Sequence, residues 1–295
     1  MINSSILKNR NNIHVFSHKA MATIFEIVIN SDDKSYAEQA AWEAIKELDL
    51  LESELSRFIP NSDISKINSL HKGDKIRIGE NVFECLLEAS KLFEITNGAF
   101  NISIGGIIDD YKLGNNSLDD KSLGSKSELI LDQNEFSVTL NSESINLDLG
   151  GIGKGYAIDK MVEILEDWEI TDVFMHGGGS SVKSIGNLEK NNGWPISLSN
   201  PQTSYILAEM ALYSNSFSSS GLQKGEHIID PRTGKPVSSK LAAWVITEKA
   251  AMSDALTTAV MIMNEDEINE LSKNKEVKYL AILTEQDFLE IKKKI

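Results

Sequence analysis

The glycine-rich segment at residues 145–176 constrains the fold more than any other part of the sequence. Apolar and polar residues alternate at 145–149, which predicts a short strand. Apolar residues at helical spacing then predict an amphipathic helix, and a second strand is predicted at 171–175. Closely spaced glycines separate the first strand from the helix: Gly150, Gly151, Gly153 and Gly155. The unit places free backbone N–H groups at the start of a helix, where anions bind.

The glycine turn matches neither of the two common phosphate-binding motifs. A P-loop requires a glycine, four residues, and then Gly-Lys-Ser/Thr, but Asp148 and Gly155 stand where the first glycine and the hydroxyl residue would be. The dinucleotide fingerprint G-x-G-x-x-G fails because Tyr156 takes the place of its third glycine. The turn by itself is equally consistent with a purely structural packing of helix on sheet.

Charge and composition exclude one large class of partners. The 295-residue chain has a formal net charge of −15, whereas proteins bind the phosphate backbone of nucleic acids through Lys and Arg. We therefore expect no nucleic-acid partner. A hydrophobic content of 41% is typical of a globular protein with a sizeable core. On so acidic a chain, an anionic substrate needs a metal cation or a local basic or backbone site.

Cysteine content and hydropathy bear on the compartment. Cys85 is the single cysteine and lies in a helical pattern, so we expect a buried, unreactive thiol and no disulfide. Residues 1–30 show no signal-peptide pattern. No apolar run approaches the roughly 20 residues of a membrane-spanning helix. The sequence therefore predicts a cytoplasmic protein without a membrane span.

Hydrophobic periodicity divides the rest of the chain into helices and short strands. The predicted helices include 35–55, 81–96 and 250–263. Residues 136–140 are predicted to form a hairpin with 145–149, which delivers the chain to the glycine turn.

Asp254 is the most unusual polar residue, because its neighbours in the predicted helix are almost all apolar. A buried carboxylate needs a partner or a metal. Thr257 and Thr258 follow three and four residues later, near the same helical face. Carboxylate and hydroxyl oxygens suit a hard cation such as Mg²⁺. The alternative is a capping carboxylate with threonine hydroxyls bonded back to the helix, and the residues leave both readings open.

Two further polar residues stand at predicted strand ends beside turns. Asp148 precedes the glycine turn, where it can accept hydrogen bonds from a ligand or cap the N–H groups of its own turn. His227 begins the segment HIIDPRTG at a place where side chains reach a cleft. A lone histidine is more often structural than catalytic, so the structural alternative stays open.

Segments in order along the chain resemble those of the ApbE-like FAD:protein FMN transferases. The most specific are LDLGGIGKGYAID (147–159) and HIIDPRTGKPV (227–237). The others are MATIFEIVI (from Met21), LSRFIPNSDISKIN (55–68), GAFNISIGG (98–106), GGGSS (177–181) and SDALTTA (253–259). The resemblance spans roughly residues 15–285, nearly the whole chain.

The resemblance implies a fold and a domain organisation. The implied fold is α+β, with mixed, mostly antiparallel sheets, packed helices, and two interlocked lobes with FAD between them. A single domain is implied at residues 13–285, between a flexible segment at 1–12 and a C-terminal tail at 286–295.

The resemblance also implies a reaction. Such enzymes cleave FAD with Mg²⁺ and pass FMN through its phosphate to a Ser or Thr of an acceptor protein, releasing AMP. Phosphoryl transfer needs the pyrophosphate charge neutralised and the attacking oxygen placed in line.

Site residues follow from the family motifs, position by position. The implied metal ligands are Asp254, Thr258 and the Gly151 carbonyl, with Thr257 as a further candidate. The implied flavin-nucleotide contacts are Met21, Phe58, Ala99, Phe100, Asn101, Asp148, Lys154 and Ile229. His227 is the implied base, or the group that aligns the acceptor hydroxyl.

Two departures from the family pattern keep other functions open. The usual Gly-Phe-Asp is here Ala99-Phe100-Asn101, and residues 220–226 lack the Asp, Tyr and Arg that the family usually places there. The alternatives are a Mg²⁺-dependent hydrolase that splits FAD into FMN and AMP, and a non-catalytic FAD-binding protein.

Overall fold

An eight-stranded antiparallel sheet forms the centre of the molecule in the computed structural model, which describes residues 12–114, 129–188, 193–222 and 228–294. The strands are β1 (Ile13–Ala20), β2 (Thr23–Asn30), β3 (Lys75–Arg77), β4 (Leu129–Asp132), β5 (Ser137–Leu140), β6 (Val173–Gly177), β7 (Ser181–Ile185), β8 (Trp194–Ser199), β9 (Ile206–Leu212), β10 (Ser216–Gly221), β11 (Ile229–Asp230), β12 (Lys235–Pro236), β13 (Lys240–Thr247), β14 (Tyr279–Thr284) and β15 (Leu289–Lys293). The helices are α1 (Lys34–Leu55), α2 (Asp63–Ile67), α3 (Glu80–Ile95), α4 (Gly105–Lys112), α5 (Gly153–Asp167), α6 (Ala250–Ile262) and α7 (Glu265–Ser272).

The strands of the central sheet lie in the order β1-β2-β6-β7-β10-β13-β14-β15, and every neighbouring pair is antiparallel. The hairpins β8–β9 and β11–β12 and the small β3-β5-β4 sheet are antiparallel as well. Most of the helices lie in chain order between β2 and β6. The predicted α+β fold with mostly antiparallel sheets is therefore confirmed.

The two faces of the central sheet pack against different elements. In β2, Phe25, Ile27 and Ile29 belong to the larger core cluster, together with residues of α1, α5 and α6. Val28 has the opposite orientation, as alternation along a strand requires, and packs in a second cluster with Trp194 of β8. Helices thus cover one face and the β8–β9 hairpin the other, which places the glycine turn on the helical side.

The predicted hairpin between residues 136–140 and 145–149 is wrong. β5 pairs with β3 and β4 instead, and residues 145–149 form no strand. This extended segment is held by the Asn68 side chain, which accepts from the Leu147 N–H at 2.7 Å and donates to the Leu147 carbonyl at 3.2 Å. Leu147 is fully buried, so the strand-like alternation reflects packing onto the core rather than pairing in a sheet.

The structure corrects the prediction for the C-terminal segment and confirms the one for the cysteine. A tail is predicted at 286–295, but β15 pairs with β14 and forms an edge of the central sheet. The flexible segment predicted at 1–12 lies outside the described residues apart from Asn12. Cys85 is buried as predicted, and burial raises the pKa of its thiol to about 12.

The described part of the chain contains no candidate for a membrane-spanning helix. No helix there combines the length and the apolar character that crossing a bilayer requires. The cytoplasmic location stays a prediction.

Helices α5 and α6 cap each other's N-termini. Asp159 of α5 accepts hydrogen bonds from the Ala250 and Ala251 N–H groups, both at 2.9 Å, at the start of α6. Asp254 of α6 accepts from the Gly155 N–H at 3.2 Å near the start of α5. A Cβ on Gly155 would lie 2.2 Å from the Ala250 carbonyl oxygen, so the two helices approach more closely than any side chain allows.

We expect Gly155→Ala to lower the free energy of unfolding by about 2 kcal/mol or more, because overpacking against backbone forces the helices apart. Gly153→Ala is the matched control, since the atom nearest its added Cβ is Leu149 Cβ at 3.8 Å. The control should retain or slightly raise stability. Urea denaturation followed by circular dichroism measures both variants, and equal stabilities would contradict the close contact.

Candidate active site

Two neighbouring cavities open beside the glycine turn. The first, which we call the β1–β2 cavity, has a volume of about 390 Å³ and lies between the β1–β2 turn, the end of α1 and the start of α5. The second, which we call the α6 cavity, has a volume of about 430 Å³ and lies between α6, the end of β10 and residues 99–108. Asp148, Gly150 and Lys154 line both cavities. The result is a two-part site with a common wall.

The structure brings most of the predicted site residues to these cavities. Met21 and Phe58 line the β1–β2 cavity. The α6 cavity is lined by Ala99, Phe100, Asn101, Gly151, Ile229, Asp254 and Thr258, and the common wall contains Asp148 and Lys154. Thr257 lines neither cavity. His227 lies outside the described residues, so its role stays a prediction.

Asp254 is buried, and both of its carboxylate oxygens have hydrogen-bond donors. Ser181 Oγ donates to Oδ1 at 2.8 Å. Lys154 Nζ and the Gly155 N–H donate to Oδ2 at 3.1 and 3.2 Å. The residue is 5% exposed, and a buried carboxylate is tolerated when it is paired and hydrogen-bonded in this way. The Lys154 side chain is therefore the positive charge that balances Asp254 in the protein.

Gly151, Asp254 and Thr258 line the same part of the α6 cavity. A Cβ built on Gly151 lies 3.6 Å from Thr258 Oγ1, so the glycine backbone and the threonine hydroxyl are neighbours. Among the residues that the structure describes, no group of three or more His, Cys, Asp or Glu side chains could hold a metal. One carboxylate with hydroxyl and carbonyl oxygens fits Mg²⁺, which typically binds one or two carboxylates and completes its shell with water and substrate phosphate.

The two adjacent threonines of α6 lie in different surroundings. Thr257 is fully buried, donates to the Asp254 carbonyl at 2.9 Å and accepts from Ser220 Oγ at 3.2 Å. Thr258 is the one residue of α6 that is not buried, and its hydroxyl is 3.4 Å from the same carbonyl. Of the two threonines, only Thr258 is placed to contact a ligand in the α6 cavity. Both hydroxyls also make the backbone contact that the capping alternative predicts.

Arg57 lies in the β1–β2 cavity and supports the common wall through Asp148, although its sequence position predicted no role for it. Its guanidinium binds both carboxylate oxygens of Asp109 at 2.8 and 2.7 Å. Its Nε lies 2.8 Å from Asp148 Oδ2, a charge contact rather than an aligned hydrogen bond, and its guanidinium carbon lies 4.6 Å from the centre of the Phe58 ring. The available signal was an arginine inside an apolar segment, since a buried arginine requires carboxylate partners.

Asp148 and Asn101 both hold the backbone of their own turns. Asp148 Oδ1 accepts from the Gly150 N–H at 2.8 Å, which is the capping arrangement considered for it. Asn101 accepts from the Ser103 N–H at 2.9 Å at the start of a short 3₁₀ turn, Ile102–Ile104. An asparagine serves this capping role as well as an aspartate does. The departure from the family's Gly-Phe-Asp pattern therefore leaves the local backbone supported.

Comparison with known proteins identifies the class to which this fold and site belong. A model described as the ApbE family matches residues 21–283, nearly the whole chain. The protein therefore belongs to the ApbE family.

Curated relatives are similar over most of their length. The FAD:protein FMN transferase of Haemophilus influenzae is 26% identical over 265 residues, which is 81% of this chain and 74% of that protein. The FAD:protein FMN transferase of Chlamydia muridarum is 26% identical over 269 residues, which is 83% of each chain.

Solved structures show the same fold. The crystal structure of the ApbE protein from Thermotoga maritima matches with a TM-score of 0.84 at 22% identity, over 95% of this chain and 96% of that one. The flavin transferase ApbE from Vibrio cholerae matches with a TM-score of 0.82 at 19% identity, over the same shares of the two chains.

Arg57→Gln tests the ion pair at the common wall. The hydrogen bonds from Arg57 hold the pKa of the Asp109 carboxyl below its usual value. A carboxyl with a lowered folded-state pKa stabilises the protein above its unfolded pKa, and this contribution is lost as the pH falls through the folded pKa. Arg57→Gln should therefore lower Tm at about pH 7, and the gap to wild type should narrow below about pH 4.

Scanning calorimetry across this pH range measures the gap. Arg77→Gln, on an exposed position of β3, is the control and should change Tm little at any pH. A gap for Arg57→Gln that stayed constant into the acid range would show that Asp109 is not the partner that matters.

Proposed function

We propose that this protein transfers FMN from FAD to a Ser or Thr hydroxyl of an acceptor protein, with Mg²⁺, and releases AMP. The observation that carries the proposal is the two-part site. Two cavities of similar volume share a wall that contains Lys154 and adjoins the start of α5. A dinucleotide has the matching form, with two large groups joined by a charged pyrophosphate. The curated relatives, which are FAD:protein FMN transferases, support the same reaction.

The common wall suits a pyrophosphate. The Lys154 ammonium can move from Asp254 to a phosphate oxygen, because its side chain is flexible and 22% exposed. The dipole of α5 favours negative charge at its start, where the Gly153 and Gly155 N–H groups are already bound to the Leu149 carbonyl and to Asp254. In the proposed complex, the apolar and aromatic residues Met21, Phe58 and Phe100 contact the ring systems on either side.

Asp254, Thr258 and the Gly151 carbonyl would hold the Mg²⁺ ion. Bound there, the ion would neutralise pyrophosphate charge on a protein whose own charge is −15. The Thr257 hydroxyl, which was a further candidate ligand, is engaged by Ser220 and the Asp254 carbonyl. We therefore give it a supporting role.

The transfer exchanges one phosphorus–oxygen bond for another. The acceptor hydroxyl oxygen attacks the FMN phosphorus, and the bond from this phosphorus to the AMP oxygen breaks with its electron pair leaving on AMP. The hydroxyl proton passes to a base, which we propose to be His227.

Incubation with FAD, Mg²⁺ and an acceptor that carries a threonine in a small, glycine-rich site tests the proposal. We expect flavin fluorescence on the acceptor band in a denaturing gel, and AMP in equal amount. AMP without a labelled acceptor would indicate an FAD hydrolase. Bound FAD without AMP would indicate a binding protein, and either result would overturn the transferase assignment.

Thr258→Val and Thr257→Val form a matched pair for the metal site. Because Thr258 borders the α6 cavity and Thr257 faces the sheet, Thr258→Val should raise the Mg²⁺ concentration for half-maximal activity by about tenfold or more. Thr257→Val should change it less, because the Thr257 hydroxyl is engaged by Ser220 and by the Asp254 carbonyl and lines neither cavity. Mn²⁺ binding followed by electron paramagnetic resonance provides a readout independent of turnover. Equal effects of the two variants would contradict the proposed ligand set.

A further inference from the structure

We propose that Glu52 is a positioning residue that holds the β1–β2 turn, and with it Met21, against the nucleotide cavity. The turn has two residues, since Ala20 and Thr23 are the last pair of the β1–β2 ladder. Met21 and Ala22 have φ values of 48° and 57°. Glu52 Oε1 accepts a hydrogen bond from the Met21 N–H at 2.7 Å. The inference rests on the proposed binding of FAD.

The backbone of this turn is strained for the residues that form it. Two consecutive left-handed residues define a hairpin turn of type I′, which strongly favours Asn-Gly, Asp-Gly or Gly-Gly. Met21 and Ala22 both carry a Cβ, which is disfavoured in the left-handed region. A turn of this kind persists only where its surroundings determine it, so Met21 and Ala22 need an external restraint.

Glu52 supplies that restraint from a rigid element. It lies near the end of the 22-residue helix α1, and its carboxylate reaches across to the turn. A hydrogen bond from a backbone N–H to an ionised acceptor is stronger than one between neutral groups. Met21 itself packs on the larger core cluster, so the turn is held by its side chain on one side and by its N–H on the other.

The location of Glu52 argues for a functional restraint and against a purely structural one. Glu52, Met21 and Ala22 all line the β1–β2 cavity. A carboxylate in a cavity that receives a phosphorylated ligand repels that ligand. The presence of Glu52 is explained if the binding free energy gained by fixing Met21 exceeds the free energy lost through this repulsion. The carboxylate then acts through the turn, and not by contact with the nucleotide.

Glu52→Ala should weaken FAD binding about tenfold, as expected when one charge-assisted hydrogen bond is lost. The effect should fall on KM for FAD, with kcat changed much less, because the chemistry at the α6 cavity is untouched. Glu52→Gln should retain most of the affinity, since its amide oxygen can accept from the same N–H. Glu38→Ala, on an exposed position of the same helix, is the control and should bind FAD normally.

Glycine at position 22 provides the decisive test. Glycine adopts positive φ without strain, so Ala22→Gly combined with Glu52→Ala should restore most of the affinity that Glu52→Ala loses. Quenching of flavin fluorescence on the full-length protein measures binding without turnover. No loss in Glu52→Ala would overturn the inference, and so would a loss that neither Glu52→Gln nor Ala22→Gly reduces.

Hydrogen exchange of the Met21 amide separates this inference from the proposed function. The amide should be protected in the free protein and should exchange faster in Glu52→Ala, whether or not FAD binds. Failure of wild type to bind FAD would count against the proposed function only. An unchanged exchange rate in Glu52→Ala would count against the role of Glu52.

Discussion

The mutual capping of α5 and α6 is the interaction on which the site depends. Each helix contributes an aspartate to the N-terminus of the other, and each aspartate is also paired with a lysine. Asp159 binds Lys183 at 2.6 Å, and Asp254 binds Lys154 at 3.1 Å. The arrangement stabilises negative charge next to free N–H groups. Asp254 therefore cannot move without disturbing the close contact between α5 and α6, which depends on the small size of Gly155. The packing of the two helices thus sets the position of Asp254 in the site.

The charged side chains at the site do not by themselves explain how so acidic a chain would accept an anionic ligand. Lys154 in the common wall is bound to Asp254, and Arg57 in the neighbouring β1–β2 cavity is bound to Asp109 and Asp148. The wall therefore has no excess of positive charge. We therefore expect pyrophosphate binding to draw on the dipole at the start of α5 and on an added cation, which agrees with a divalent ion being part of the proposed reaction.

The sequence predicts the site residues whose role depends on their immediate neighbours in the chain. It does not predict those whose role depends on contacts with distant residues. The glycine turn, its helix and the isolated Asp254 follow from spacing and composition. Periodicity could not distinguish residues 145–149 from a strand, because the segment packs onto the core with the same alternation. Its backbone hydrogen bonds go to the Asn68 side chain and to the Ile102 and Gly105 backbone instead of to a strand. Arg57 and Glu52 act on partners far along the chain, Asp109 and Met21. The apolar segment around Arg57 indicated that it needs a carboxylate partner, but the sequence could not identify that partner. Thr257 and Thr258 are adjacent in the helix and point in different directions. Which of them faces the cavity depends on how α6 packs, and the sequence alone does not show this.

The serine-rich strand β10 shows how that orientation is fixed. Except for Thr258, α6 is buried throughout, and a helix that is apolar on nearly all sides can pack in several rotations with similar energy. Directional hydrogen bonds remove this ambiguity, because a wrong rotation would leave buried hydroxyls without partners. Ser218 pairs with Ser253 at 2.8 Å, Ser220 with Thr257 at 3.2 Å, and Ser181 of β7 with Asp254 at 2.8 Å. These bonds hold one side of α6 against the sheet and thereby turn Thr258 toward the cavity. These serines therefore determine which hydroxyl of the helix a ligand can reach.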